Sequence, residues 1–316
     1  MLLQTLFILA CASITSYAVP VDNGIEIPNI SEQMCGTAPP SQELRLAHDT
    51  QARQAREARV AGKEKRASQL VVNLYMHFVT TFDQAHLYSA NVRASLATSQ
   101  IIALNTAYRP ANIAFANNPA TYTIRDDWAT DANSTSMKQA LRKGTYKDLN
   151  VYFQTNLSIA PYKYSPASTL LGYCTLPTKI TYTNGHGGQT EYPAVDYATD
   201  GCNVLAGSMP GSPAPISGYN QGKTAVHEIG HWFGMLHTFQ DNTCSPTDGG
   251  DYIDDTPQEG TSTSGCPTGK DSCPGDPGLD PISNYMDYST DACYTQFTSD
   301  QQARMTSMFN MYRAGE

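Results

Sequence analysis

The chain is poor in positive charge, and after residue 18 it has no apolar run long enough to cross a bilayer. Lysine and arginine number 20 against 29 aspartates and glutamates, which gives a formal net charge of −9. An acidic protein is a poor partner for nucleic-acid phosphates, so we expect no nucleic-acid ligand. We also expect no membrane-embedded part. No internal repeat is present, and about 250 residues can form one core.

The segment 1–18, MLLQTLFILACASITSYA, is apolar and ends in small residues. Ser16 and Ala18 stand at the two positions that a signal peptidase reads. The segment is too short, and too interrupted by serine and threonine, to be a membrane anchor, although it lacks the usual basic side chain at its start. We predict a cleaved secretion signal over residues 1–18 and a secreted, extracellular protein.

Residues 19–66 differ in composition from the rest of the chain. They hold seven acidic and seven basic side chains, whereas residues 67–316 hold 22 acidic and 13 basic ones and carry the whole net charge. Residues 41–66 can form a helix but lack the apolar stripe that builds a core. The segment ends in the dibasic pair Lys65 and Arg66, a candidate processing site. We predict a propeptide over 19–66, with a removable linker as the alternative, and a catalytic domain over 67–316.

The number of cysteines outside the signal is odd, which predicts one unpaired thiol. The chain has eight cysteines, and Cys11 lies in the signal. Cys35 lies far upstream of the remaining six and is the odd one by position. Those six can form disulfides in an oxidising compartment, in any of about 15 pairings by sequence alone. They are Cys174, Cys202, Cys244, Cys266, Cys273 and Cys293.

Hydrophobic periodicity predicts a mixed α/β domain from residue 69 onward. The run LVVNLYMHFV alternates as a strand does, with the apolar residues from Val72 to Phe78 on one face, and His77 is expected as a strand residue, not a ligand. Helical spacing predicts a long helix over 84–108, and Thr224 is the expected N-cap of a second helix. The other predicted elements are helices at 137–142 and 299–312 and strands at 113–115, 122–124, 149–154, 194–196 and 202–206.

The segment 227–237, HEIGHWFGMLH, has the pattern H-E-x-x-H-x-x-G-x-x-H of catalytic zinc sites. On a helix, His227 and His231 lie one turn apart on one face and can reach the same metal ion. Gly234 allows the chain to leave the helix, so that His237 returns as the third ligand. Three protein ligands leave a fourth position open, as in catalytic zinc sites. Three histidines lack this spacing and are expected at surface or loop positions: His48, His86 and His186.

Glu228 flanks the metal-binding face without being a ligand. Its carboxylate can hold a water, accept its proton and pass that proton to the leaving amine of a cleaved peptide bond. The pattern therefore predicts a zinc endopeptidase that acts on proteins or peptides. The alternative is a catalytically silent binding protein that zinc only stabilises. Glu228 argues against this alternative, because a binding module does not need a carboxylate beside the ligands.

A second signature lies downstream, where Asn284-Tyr285-Met286-Asp287-Tyr288 has the form of a methionine turn. With the zinc motif, it resembles the metzincin clan of zinc endopeptidases. Four segments are similar to the pappalysin family (peptidase M43) and, within it, to secreted fungal metalloproteases: LNVYFQ, GCNVLAGSMPG, HEIGHWFGMLHTFQ and YIDDTP. The likeness covers roughly residues 70–312.

The resemblance implies an α/β (α+β) metzincin fold. A five-stranded, mostly parallel sheet with a backing helix and the active-site helix would lie above an irregular, disulfide-rich C-terminal subdomain. Met286 would form an apolar floor beneath the histidines. Tyr288 would stabilise the oxyanion, with simple packing as the alternative. The resemblance also implies the disulfides Cys244–Cys273 and Cys266–Cys293, which leaves Cys174–Cys202.

The segment Cys35-Gly36-Thr37 resembles the cysteine switch of the family. A thiolate on the zinc would take the position that the catalytic water needs and keep a zymogen silent. The alternative for Cys35 is an unpaired or intermolecularly bonded thiol.

Three further expectations concern calcium binding, glycosylation and oligomeric state. Acidic, glycine-rich loops after the zinc motif could bind a structural Ca²⁺ ion, although solvated loops explain them nearly as well. Their aspartates are Asp241, Asp248, Asp251, Asp254, Asp255, Asp271, Asp276 and Asp280. Glycosylation sequons begin at Asn29, Asn133 and Asn156. We expect a monomer.

Overall fold

A computed structural model describes residues 34–62, 68–157, 170–179, 181–183, 189–191, 198–245 and 250–315. The predicted signal, Asn29, Lys65, Arg66, His186, Asp248 and the strand expected at 194–196 lie outside these ranges. The helices are α1 (Gln42–Val60), α2 (Ala90–Tyr108), α3 (Asp126–Ala129), α4 (Ser134–Leu141), α5 (Lys223–Trp232) and α6 (Ser299–Tyr312). The strands are β1 (Leu70–Thr80), β2 (Ile113–Asn117), β3 (Thr121–Ile124), β4 (Leu149–Gln154), β5 (Gly172–Cys174), β6 (Thr181–Thr183), β7 (Gln189–Glu191) and β8 (Cys202–Leu205).

The main sheet has the strand order β2-β1-β4-β8-β5, with β3 also paired to β1. Two short strands share one edge of β1, since Leu70–Leu74 pairs with β2 and His77–Thr80 pairs with β3. Only β5 is antiparallel to its neighbour in this sheet. The predicted five-stranded, mostly parallel path is therefore present, with β3 as a sixth strand beside β2. Strands β6 and β7 form a separate antiparallel pair.

Helices cover both faces of the sheet, as the burial of a parallel sheet requires. On one face, apolar residues of β1, β4 and β8 pack against α2 and α5 in the main core. On the other face, Trp128 of α3 and Met137 of α4 pack against Val79 and Tyr152. Each fully buried large apolar side chain contributes about 1.5–3 kcal/mol to folding. This layering holds α5 rigidly beside the sheet.

The chain after α5 is irregular until α6, which begins with a capping box between Thr298 and Gln301. This C-terminal part is tied by the disulfides Cys244–Cys273 and Cys266–Cys293, and Cys174–Cys202 joins β5 to β8. These are the pairs that the family resemblance implies. Among the described residues, no helix is long and apolar enough to span a membrane.

One predicted helix start and one predicted N-cap were wrong. Helix α2 begins at Ala90 and not at residue 84, because Ala85–Leu87 forms a separate 3₁₀ turn and Ser89 caps α2. Thr224 is not the N-cap of α5. Gly222 occupies that place with a φ of 80°, a left-handed conformation that favours glycine, and no side chain caps the helix.

Helix α1 packs against α6 through Leu44, which contacts Met308 and Tyr312. The expectation that His48 lies on the surface was wrong, because its side chain is fully buried under α1. Arg304 of α6 donates a hydrogen bond to Nδ1 of His48 across 2.8 Å. This bond offsets part of the free-energy cost of burying the polar ring. His86 is exposed, as expected.

Candidate active site

Helix α5 and the turn after it bring three histidine rings together. The ring centroids of His227, His231 and His237 lie 4.9, 4.5 and 5.2 Å apart in their three pairs. Gly234 has a φ of 90°, and this conformation ends the helix and turns the chain back. Gly230 permits the close approach of Met286, whose Sδ would lie 2.5 Å from a Cβ at position 230. Both glycines are therefore required by geometry.

The histidines are neutral and point their Nε2 atoms inward. The Nδ1 atoms of His227 and His231 each donate to a backbone carbonyl at 2.7 Å, that of Tyr285 and that of Met235. Their Nε2 atoms are therefore left with free lone pairs. Burial lowers the pKa of His227 to about 4 and lowers the pKa values of His231 and His237 well below the usual range. Neutral imidazoles are the form that binds a metal ion.

The donor set fits zinc. Nε2 of His227 is buried without a hydrogen-bond partner, and Nε2 of His231 lies 3.1 Å from Nε2 of His237. One ligand atom from each histidine and the sulfur of Cys35 lie within 4.8 Å of one another. Facing lone pairs and an unpaired buried nitrogen are costly unless a cation satisfies them. Three imidazoles and a thiol are ligands that zinc prefers.

Glu228 lies beside the histidines and is buried. Its Oε2 atom lies 3.5 Å from Sγ of Cys35 and accepts a hydrogen bond from Oγ1 of Thr37 at 3.3 Å. Its Oε1 atom has no partner among the described residues. Burial raises the pKa of Glu228 to about 8, against the opposing effect of the two hydrogen bonds. Gly172 passes so close that a Cβ there would lie 2.7 Å from Cγ of Glu228.

Residues 34–37 add a short parallel strand segment to the free edge of β5. The N–H of Leu171 donates to the carbonyl of Met34 at 2.9 Å, and the N–H of Gly36 donates to the carbonyl of Gly172 at 2.8 Å. The hydroxyl of Thr37 also accepts a hydrogen bond from the N–H of Cys174 at 3.0 Å. The segment therefore lies across the site and holds Cys35 over it.

Met286 and Tyr288 line the site from below and from the side. Met286 is fully buried against Gly230. The ring of Tyr288 lies 5.7 Å from that of His227 and 5.0 Å from that of His237. Its hydroxyl donates to the carbonyl of Cys35 at 3.4 Å, and burial raises its pKa well above the usual range. The phenol is therefore a protonated donor.

Comparison with known proteins decides the family. The chain is 42% identical over 309 residues to an extracellular metalloprotease of Neurospora crassa, with 98% of this chain and 97% of that protein covered. It is 42% identical over 315 residues to an extracellular metalloprotease of Pyricularia oryzae, with 98% and 97% covered. Residues 177–310 match the Peptidase_M43 model, described as pregnancy-associated plasma protein-A. The chain belongs to the peptidase M43 family. It is a secreted metalloprotease and therefore a hydrolase.

Two solved structures are similar to this chain. Mature mirolysin of Tannerella forsythia, in complex with a cleaved peptide, is 26% identical with a TM-score of 0.58, covering 77% of this chain and 92% of that one. A promirolysin variant from the same organism is 22% identical with a TM-score of 0.59, covering 88% and 94%. At 22% identity, the similarity to the promirolysin variant shows a shared fold only.

The remaining predicted residues lie away from the M43 site. Asn133 and Asn156 are exposed. Among the described residues, the only group of three or more candidate metal ligands is the histidine–cysteine set, so the acidic loops form no calcium cluster there. Sequence reasoning missed the roles of Thr37 and Gly172. Thr37 belongs to the recognised segment Cys35-Gly36-Thr37, but nothing local shows that it reaches Glu228.

Proposed function

We propose that His227, His231 and His237 bind one catalytic zinc ion and that Glu228 moves the protons during hydrolysis of internal peptide bonds. The observation that carries this proposal is the convergence of three neutral imidazoles, two buried and one half-buried, with ligand atoms within 4.8 Å, beside a buried carboxylate. Zinc bound there supplies a Lewis acid that polarises the scissile carbonyl and lowers the pKa of water.

Glu228 is the group that carries protons. The histidine Nδ1–H groups of His227 and His231 are held by carbonyls, so these rings have no proton to exchange. Once the contacts from Cys35 and Thr37 are lost, both oxygens of the Glu228 carboxylate can hold the attacking water. The carboxylate then accepts the proton of that water and delivers it to the leaving nitrogen.

Tyr288 donates a hydrogen bond to the oxyanion. In the latent protein, its hydroxyl donates to the carbonyl oxygen of Cys35, and a peptide carbonyl of the substrate would take that place. Its raised pKa keeps the phenol protonated, as a donor to developing negative charge must be. Met286 supports the rings from below and binds no metal.

Cys35 holds the enzyme latent. Its sulfur belongs to the same ligand cluster as the three histidines, so a Cys35 thiolate would help to hold the metal ion and would exclude the catalytic water. The added strand at β5 and the packing of α1 on α6 keep the thiol in place. These contacts support a propeptide over 19–66, removed after secretion, and a catalytic domain over 67–316. The likeness in fold to a pro form of mirolysin agrees with this arrangement.

Casein cleavage after activation of the purified zymogen tests the proposal. Wild-type protein is compared with Glu228→Gln, which keeps the shape of the side chain but cannot accept the proton, and with a sample treated with a zinc chelator. We expect the variant to bind zinc and fold normally but to lose at least about 10²-fold in rate, since general acid–base catalysis contributes that much. If folded, zinc-loaded wild type cleaves neither casein nor a peptide library, the chain is the silent binding protein instead.

The substrates we propose are extracellular proteins and peptides, and the acidic surface argues against a nucleic-acid partner. We expect a monomer. Asn133 and Asn156 are exposed and so available for glycosylation. Asn29 begins the third predicted sequon.

A structural Ca²⁺ ion stays a prediction. In the latent protein, Asp241 and Asp254 are paired with arginines of α1 and would become available as ligands only after α1 leaves.

A further inference from the structure

Glu259 is a buried carboxylate that lies between two parts of the proposed metal site. Its Oε2 atom accepts a hydrogen bond from the hydroxyl of Thr238 at 2.6 Å. Its Oε1 atom accepts from the hydroxyl of Thr263 at 3.1 Å and from Nζ of Lys270 at 2.7 Å. All of these donors point at one carboxylate, so its position fixes theirs.

Thr238 directly follows His237, the third proposed zinc ligand. The rings of His227 and His231 are oriented by hydrogen bonds from Nδ1 to backbone carbonyls. In the described part of the chain, the ring of His237 has no such bond at Nδ1. Metal-binding histidines nearly always have an orienting partner of this kind. The direction of the His237 ring therefore comes from ring packing, on Phe239 at 4.9 Å and Tyr288 at 5.0 Å, and from its backbone, which Thr238 holds.

The backbone at Thr238 is fixed from two sides. Its N–H donates to the carbonyl of Met286 at 3.2 Å, and its hydroxyl donates to Glu259. The second threonine continues the same connection, because the N–H of Thr263 donates to Oδ1 of Asp287 at 3.0 Å. Glu259 thus joins the segment of His237 to the methionine turn.

Charge balance around Glu259 is maintained locally. Nζ of Lys270 lies 2.7 Å from Glu259 and 2.6 Å from a carboxylate oxygen of Asp280. A substitution at Glu259 therefore leaves Lys270 with a second partner and does not bury an unpaired charge. The network can be altered without the large penalty that isolated buried charges carry.

We infer that Glu259 is a positioning residue, which orients His237 as a zinc ligand through the hydroxyl of Thr238. The inference rests on the proposed ligation by His237. It predicts that loss of the Thr238 hydroxyl changes the metal site itself and not only the stability of the fold.

Zinc release and a cobalt spectrum test this inference on the full-length zymogen. The variants are Thr238→Val, which loses the hydroxyl with little change in volume, Thr238→Ser, which keeps it, and Thr263→Val, which loses the other threonine bond to Glu259. Zinc transfer to a chromophoric chelator is timed well below the unfolding temperature. The d–d absorption spectrum of the Co²⁺-substituted protein reports the ligand geometry.

We expect Thr238→Val to release zinc at least about tenfold faster and to shift the Co²⁺ spectrum, because loss of an orienting partner typically costs 10–100-fold in metal affinity. Thr238→Ser should behave as wild type, and Thr263→Val should change zinc release less. If Thr238→Val lowers only the unfolding temperature, with wild-type zinc release and spectrum, the inference is wrong. If wild-type protein binds no zinc, or His237→Ala binds it as wild type does, the proposed ligand set fails instead.

Discussion

The hydroxyl of Thr37 donates a hydrogen bond to Oε2 of Glu228 across 3.3 Å. The same hydroxyl accepts a hydrogen bond from the N–H of Cys174 on β5. Thr37 thus ties the proposed propeptide both to the edge of the sheet and to the carboxylate that we propose carries protons. A thiol on the metal would therefore be only one part of the proposed latency.

Thr37→Val is expected to weaken latency while Cys35 stays in place. Two hydrogen bonds of the hydroxyl are lost, each with a net contribution of about 0.5–1.5 kcal/mol, so the segment should open at least about fivefold more often. Cys35 is the only free cysteine described and is buried, so its rate of alkylation by a thiol reagent measures that opening. Thr37→Ser is the matched control and should react as slowly as wild type. Equal rates in Thr37→Val and wild type would show that the hydroxyl contributes nothing to closure.

A second prediction concerns the ion pair between Arg59 of α1 and Asp300 of α6, whose shortest N–O distance is 2.7 Å. Asp300→Arg replaces attraction with repulsion at the far end of the docked helix. A partly exposed pair contributes up to about 1 kcal/mol, so Cys35 should be alkylated roughly threefold to tenfold faster. The doubly exchanged protein, Arg59→Asp with Asp300→Arg, should recover most of the wild-type rate. If the exchange restores nothing, the charge pair does not contribute to docking of α1.

Docking of α1 should also weaken as the pH falls, because of His48. Burial, and then the charges of Arg304 and Arg45, lower the pKa of His48 to about 3, although the backbone of Gly234 opposes this shift. Tyr252 stacks on the ring at 5.7 Å and adds no charge of its own near neutral pH. The docked state thus binds a proton less readily than the released state, whose His48 titrates near 6.5.

The sign follows from proton linkage. Docking has its full stability above pH 6.5 and loses it progressively as the pH falls from 6.5 towards 3. At pH 5 the released state should gain about 30-fold relative to neutral pH. His48→Gln keeps an acceptor for Arg304 but does not titrate. The ratio of the Cys35 alkylation rates of wild type and His48→Gln cancels the pH dependence of the thiol chemistry. A ratio that stays constant from pH 7.5 to 5 would exclude this role of His48, while a ratio that rises supports it.

The sequence alone predicted the parts of the site that are close together along the chain. His227, His231 and Gly234 belong to one motif, and their geometry is set by the helix period and by one left-handed glycine. The central strands β1 and β4 were predictable because they are long and apolar. Helix α6 was predicted at residues 299–312 and is found there.

Apart from the start of α2 and the N-cap of α5, the missed features depend on partners that are distant in sequence. Strand β5 has three residues, and its strand character comes from pairing with β8 and with the segment of Cys35. His48 was expected on the surface because it lacks metal-ligand spacing, and its burial depends on Arg304 and Tyr252, which are distant in sequence. Thr37 and Glu259 carry no local pattern, since their partners are 191 and 21 residues away.

The last prediction concerns the buried ion pair between Arg313, which follows α6, and Asp200 before β8. The guanidinium contacts both carboxylate oxygens at 3.1 Å and also donates to the carbonyl of Trp232 at the end of α5. Both side chains are almost fully buried, and the nearby guanidinium contributes to lowering the pKa of Asp200 against the effect of burial.

Arg313→Met should therefore lower the free energy of unfolding by about 1.5–3 kcal/mol, because the Asp200 carboxylate loses two charge-assisted hydrogen bonds but keeps Arg142 at 3.4 Å. Urea unfolding with disulfides intact measures the loss. Arg125→Met, in an exposed ion pair with Asp127, is the matched control and should change the midpoint little. If both arginine variants unfold at the same urea concentration, the buried pair does not stabilise the junction of α5, α6 and the sheet.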